Sequence, residues 1–140
     1  METIKEISDR SAEYYVIAKR WKSDLEFYKI ECAFLNNLKQ DYYFTRLKDY
    51  QNTEELQKNA NKLQKLQADI LSAEISVDAQ LHQLKEVAEN KIEENSQNLA
   101  LTNARVGHLM ISLTHKYQEI KKQIFANVEI VFRELELAAG

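Results

Sequence analysis

Cysteine and histidine are the first side chains to test for metal binding or attack on substrates, and this sequence has Cys32, His82, His108 and His115. Metal centres in helical proteins draw on Glu-x-x-His pairs that point both ligands inward from one face. No such pair occurs. His108 and His115 share a helix face but sit seven residues apart, about 10.5 Å along the axis, too far to grip one ion together. Both fall at the outermost position of their heptad. His82 has Glu86 one turn later, the spacing of an ordinary exposed pair. Cys32 lies between Tyr28 and Leu35 on an apolar face, which marks it as a small buried hydrophobe rather than a nucleophile. The adjacent carboxylates Glu54-Glu55 and Glu93-Glu94 fall where helix ends meet water. With no Gly-rich phosphate loop, Ser/His/Asp set or Cys-x-x-Cys either, the expectation is a non-enzymatic chain with no metal and no cofactor.

The elements that position these residues follow from composition. Among 140 residues there is no proline, two glycines and one cysteine, with 44% apolar and 29% charged side chains. The frequent tight turns of a sandwich or barrel need proline and glycine, so long helices are what remains. Apolar content this high excludes a disordered tail, and no uncharged apolar run spans a bilayer. Met1–Arg10 carries charges throughout and lacks the apolar centre of a signal peptide. A cytoplasmic location is therefore expected, and a lone cysteine is compatible with a reducing compartment. A net charge of −3 gives no reason to expect nucleic acid or an anionic membrane as partner. One cluster tests that view: Lys39, Arg46, Lys48, Lys58, Lys62 and Lys65, interleaved with Tyr42, Tyr43, Phe44 and Tyr50. Basic charge among aromatics is how single-stranded nucleic acid is held. However, Asp41, Asp49, Glu54, Glu55, Glu129, Glu134 and Glu136 share that end and cancel the field.

Apolar periodicity divides the chain. A strict 3-4 alternation runs through Ile4, Ile7, Ser11, Tyr14, Ala18, Trp21, Leu25, Tyr28, Cys32, Leu35, Lys39 and Tyr42. Asn52-Thr53-Glu54-Glu55 then resembles a capping box. A second seam takes Leu56, Leu63, Leu66, Ile70, Ala73, Val77, Leu81, Leu84, Val87 and Ala88. After the polar stretch Glu93–Asn98, in which Asn95 or Ser96 caps the next helix, a third takes Leu99, Asn103, Val106, Met110, Leu113, Tyr117, Ile120, Ile124, Asn127, Val131, Glu134 and Ala138. Helices are thus predicted near residues 3–50, 53–94 and 97–138. Near-equal lengths and short connections predict one all-α domain over 1–140, an antiparallel, up-down-up, coiled-coil-like bundle of three long helices. Because the second break has neither glycine nor proline, one continuous helix from Thr53 onward, pairing between chains, is the alternative. In seam spacing the chain resembles spectrin-type repeats and other long coiled-coil modules; the likeness implies a fold and carries no functional residue.

A second apolar stripe stands apart from the first seam. Val16, Phe27, Ile30, Phe34 and Leu38 lie about 140° from it at 100° per residue. Phe125, Val128 and Phe132 fall off the third seam at a matching height. Either these aromatics meet inside the bundle, or they form a surface that another copy or a partner helix covers. The sequence therefore predicts a protein–protein interaction or assembly module acting through helix-face packing, self-associating as a dimer. Its interface residues are expected to be Val16, Phe27, Ile30, Phe34, Leu38, Phe125 and Phe132. Polar seam residues Lys39, Asn103, Asn127 and Glu134 fix register in that reading. In the alternative, they belong to a ligand- or metal-responsive regulator or enzyme with a pocket near Tyr28, Cys32 and Met110.

Overall fold

A computed structural model describes residues 8–40 and 53–139. Among them the chain is all-α, with α1 Asp9–Gln40, α2 Thr53–Ala88 and α3 Ser96–Ala139 forming a three-helix bundle. The expected start of α1 near residue 3, the aromatic run Tyr42–Phe44 and the Asn52 cap lie outside the described residues. Ser8 caps α1, its Oγ accepting the Ser11 backbone N–H at 3.1 Å.

Helix α2 starts where the sequence predicts but stops at Ala88, six residues short of 94. The cause is Asn90, which takes the left-handed conformation at φ 60°. Its N–H bonds the Val87 carbonyl at 3.1 Å, and the Lys91 N–H reaches the Glu86 carbonyl at 2.9 Å. This is the closing pattern of a Schellman motif, with asparagine in the place glycine usually holds. Five residues later the Asn95 Oδ1 accepts the Asn98 N–H at 3.0 Å and opens α3. The continuous-helix alternative is thereby overturned.

The chain forms two compact units. The first comprises Met1–Phe27 with Ile70–Ser112. Within it Lys22 of α1 meets Asp78 of α2, at 2.7 Å. Nearer the start of α1, Ser8 and Ser11 donate to the Glu94 carboxylate just beyond α2. Ascending numbers on α1 meet descending numbers on α2, so the two run antiparallel. Tyr14, Leu84 and Leu99 pack together in the core. Trp21 lies against Gly107, its ring 3.6 Å from where a Cβ would stand. That is ordinary van der Waals contact, so the glycine is not required by space. Gly107→Ala is expected to raise the unfolding free energy by about 0.5–1 kcal/mol through helix propensity, measured by urea denaturation.

Gln80 is the unexpected member of this core. It is 2% exposed, at the seam position three residues after Val77 and four before Leu84. Its Nε2 donates to the Asn103 Oδ1 at 3.3 Å. Leu81, expected in the seam, is half-buried, and Ala88 is exposed. The 3-4 rhythm passes through the polar residue, not its apolar neighbour.

The second unit comprises Tyr28–Asp69 with Leu113–Gly140. Here Tyr28 Oη and Thr114 Oγ1 share a hydrogen bond of 2.9 Å, and Tyr117 Oη donates to the Glu31 carboxylate at 2.8 Å. Both pairs are 86 residues apart in sequence, so α1 and α3 run parallel, as an up-down-up order requires. Cys32, Leu35, Leu63, Leu66, Leu113 and Ile124 fill its centre. Asn59 and Asn127 are buried with them, the second with an unpartnered Nδ2. Asn127 was predicted in its seam. Asn59 was not, although it holds the 3-4 position between Leu56 and Leu63.

Candidate interaction surface

The two units place the stripe residues as follows. In the first, Val16 is 58% exposed and Phe27 51%. In the second, Ile30 is 68% exposed, Phe34 48% and Phe125 39%, while Leu38 is half-buried. The side chain of Phe132 lies outside the described residues. Val128, expected beside Phe125, belongs to the core instead. A heptad face only about 100° wide would have missed it, yet a helix packed between two neighbours buries a broader arc.

Phe34 of α1 and Phe125 of α3 touch, their centroids 6.4 Å apart and their planes inclined by 47°. That tilted arrangement is favourable for two aromatic quadrupoles. Both rings nevertheless keep much of their surface in water, so the contact builds a ledge instead of closing a core. Ile30 stands one turn before Phe34 on the same helix face.

Behind the ledge lies a polar clasp. The Glu31 carboxylate accepts from Tyr117 Oη and from Lys121 Nζ, each at 2.8 Å. Lys121 also donates to Tyr117 Oη at 3.2 Å and lies 5.8 Å from the Phe125 ring centroid. Tyr28 packs on Tyr117 with centroids 4.5 Å apart. The hydrogen bond from Lys121, followed by that from Tyr117, lowers the Glu31 pKa. The Lys121 pKa is raised, chiefly by its bond to Glu31. Burial, then the Glu31 bond, raises the Tyr117 phenol. A lowered carboxylate contributes stability above its ordinary range and loses it as pH falls through the folded value; a raised ammonium contributes below its ordinary range and loses it as pH rises through the folded value. The clasp therefore stays charged across the neutral range and holds α1 to α3 under the ledge.

The residues with chemical potential are placed elsewhere. Cys32 is fully buried, and desolvation, with the nearby Glu31 charge, pushes its thiol up to about 11. It remains protonated at neutral pH and is a poor nucleophile. Tyr28 is buried in the same unit, and Met110 in the core of the first. His108 and His115 are exposed, and His82 Nε2 lies 3.4 Å from Glu86. Among the described residues no three His, Cys, Asp or Glu side chains gather as metal ligands, and no helix is long and apolar enough to cross a membrane.

Sequence reasoning passed over exposed apolar residues on the other helices of the first unit: Leu71 and Ile75 on α2, Leu101 and Ile111 on α3. Leu71 and Ile75 stand one turn apart outside the seam of α2, the same signal that marks the stripe on α1. No family model, no curated protein and no solved structure matches this chain.

Proposed function

We infer that this chain is a protein–protein interaction and assembly module, non-enzymatic and cytoplasmic, which self-associates as a two-fold dimer through the ledge of the second unit. The observation that carries this reading is the exposure of Ile30, Phe34 and Phe125 around one aromatic contact. Large apolar side chains gathered in one place are costly to leave in water, and aromatic anchors dominate interface energies.

A second copy of this chain suits the ledge better than a strongly charged partner. Lys121 and Glu31, behind the ledge, neutralise one another at 2.8 Å and offer no free charge there to steer an opposite one. A two-fold axis also sets like against like, which an apolar ledge satisfies without a complementary pattern elsewhere. Leu38, half-buried on α1, lies at the edge of the ledge, while Val16 and Phe27 are exposed apolar residues of the first unit. The buried Cys32 thiol is compatible with the reducing cytoplasm.

Hydroxyl-radical footprinting at protein concentrations below and above the dissociation constant tests which surface is covered. Oxidation of Phe34 and Phe125 is expected to fall as concentration rises, while that of the exposed His108 stays constant. Equal oxidation of the two phenylalanines at every concentration would remove this surface from consideration.

A further inference from the structure

In the first unit the start of α1 is held down by little apolar surface. From Asp9 to Arg20 the buried side chains are Ser11, Tyr14 and Ala18, with Ile17 half-buried and the rest exposed. Ser11 and Ala18 are small, so Tyr14 is the one large side chain fully inside, packed with Leu84 of α2 and Leu99 of α3. Firmer anchors come next on the same seam: Trp21, which lies against Gly107, and the fully buried Leu25. Segments with few buried apolar contacts open at lower free energy than the body around them. What closes this segment is polar. Glu94, half-buried in the connection after α2, accepts from the hydroxyls of Ser8 and Ser11. Ser8 is also the cap of α1, so one carboxylate ties down both the cap and the first buried seam position. Hydrogen bonds to an ionised acceptor are the stronger kind. Asn90 closes α2 and Asn95 opens α3, so Glu94 is presented from a short connection fixed at both ends.

We propose that about the first three turns of α1 form a strap, latched by Glu94, that opens and closes over Leu84 and Leu99 while the rest of the bundle stays folded. Closed, Tyr14 lies on the two leucines and the serine hydroxyls hold the carboxylate. Open, α2 and α3 keep their own pairing, and Leu84 and Leu99 are uncovered. Trp21 on Gly107 is where the opening stops, because from there on α1 is held by large buried side chains. The device lies within the first unit and does not rest on the ledge or on self-association.

Backbone amide hydrogen exchange of the full chain, followed by NMR at one pH, tests the strap. Glu94→Ala should speed exchange at Tyr14, Ile17 and Ala18 by at least about tenfold, the scale of one lost hydrogen bond to a charged group. Leu35 and Leu113, in the second unit, should keep their wild-type rates. Ser11→Ala removes one of the two donors and should act on the same three amides in the same direction by less, which keeps the test open if the glutamate variant folds poorly. Glu93→Ala, at the exposed neighbouring carboxylate, should leave all five amides unchanged. Wild-type rates at Tyr14, Ile17 and Ala18 in both the Glu94 and Ser11 variants overturn the latch. Equal acceleration at all five amides overturns the strap, because the bundle then opens as a whole. An effect of Glu93→Ala as large as that of Glu94→Ala overturns the assignment to Glu94.

Discussion

Leu63→Ala is expected to lower the unfolding free energy by about 3 kcal/mol, the middle of the range for removing a buried leucine side chain. Leu63 is fully buried on the seam of α2, inside the second unit. Truncation removes apolar transfer energy and leaves a cavity that surrounding rigid helices fill only partly. The comparison is Leu71→Ala, at a residue 54% exposed on the outer face of the same helix. Surface truncations of that kind stay within about 0.5 kcal/mol. Urea denaturation of the two variants beside wild type measures the contrast. Equal destabilisation would mean that the seam of α2 does not face the core as described.

Phe34→Glu is expected to weaken self-association by at least about 30-fold, the equivalent of losing one aromatic anchor. Glutamate removes the ring from the ledge and places an ionised group where a second copy would have to desolvate it. Phe34 also touches Phe125 within the same chain, so part of the effect falls on the monomer. That pair contributes on the order of 1 kcal/mol or less with both rings half in water. Ile30→Lys separates the two effects. Ile30 is 68% exposed, and lysine there stands four residues after Glu26, a favourable order for a helical ion pair. The Ile30→Lys protein should therefore keep its thermal midpoint at low concentration while losing its dimer. A normal dimer in both variants would show that the ledge is not the interface.

The seams were legible because one rule governs them. On α1 the predicted seam positions Ser11, Tyr14, Ala18, Leu25, Tyr28, Cys32 and Leu35 are buried and Trp21 is half-buried, since a helix with two neighbours must turn its apolar 3-4 stripe inward. The same rule, read only through apolar residues, passed over Gln80 and Asn59. Gln80 enters its seam with a hydrogen bond to Asn103, a partner remote in sequence. The end of α2 was misplaced for a local reason: asparagine adopts the left-handed conformation less visibly than glycine, so Asn90 gave no stop signal. The exposed face of α1 could be read from angles alone. The contact between Phe34 and Phe125 depends on the relative height of two helices, and the Glu31–Tyr117–Lys121 clasp on three side chains brought together from α1 and α3.

Sedimentation equilibrium of the wild-type chain at tens of micromolar tests the central claim most directly. The account predicts a mass approaching twice the 16.4 kDa of one chain, falling toward the single-chain value on dilution and in Phe34→Glu. A wild-type mass of 16.4 kDa throughout that concentration range would contradict it.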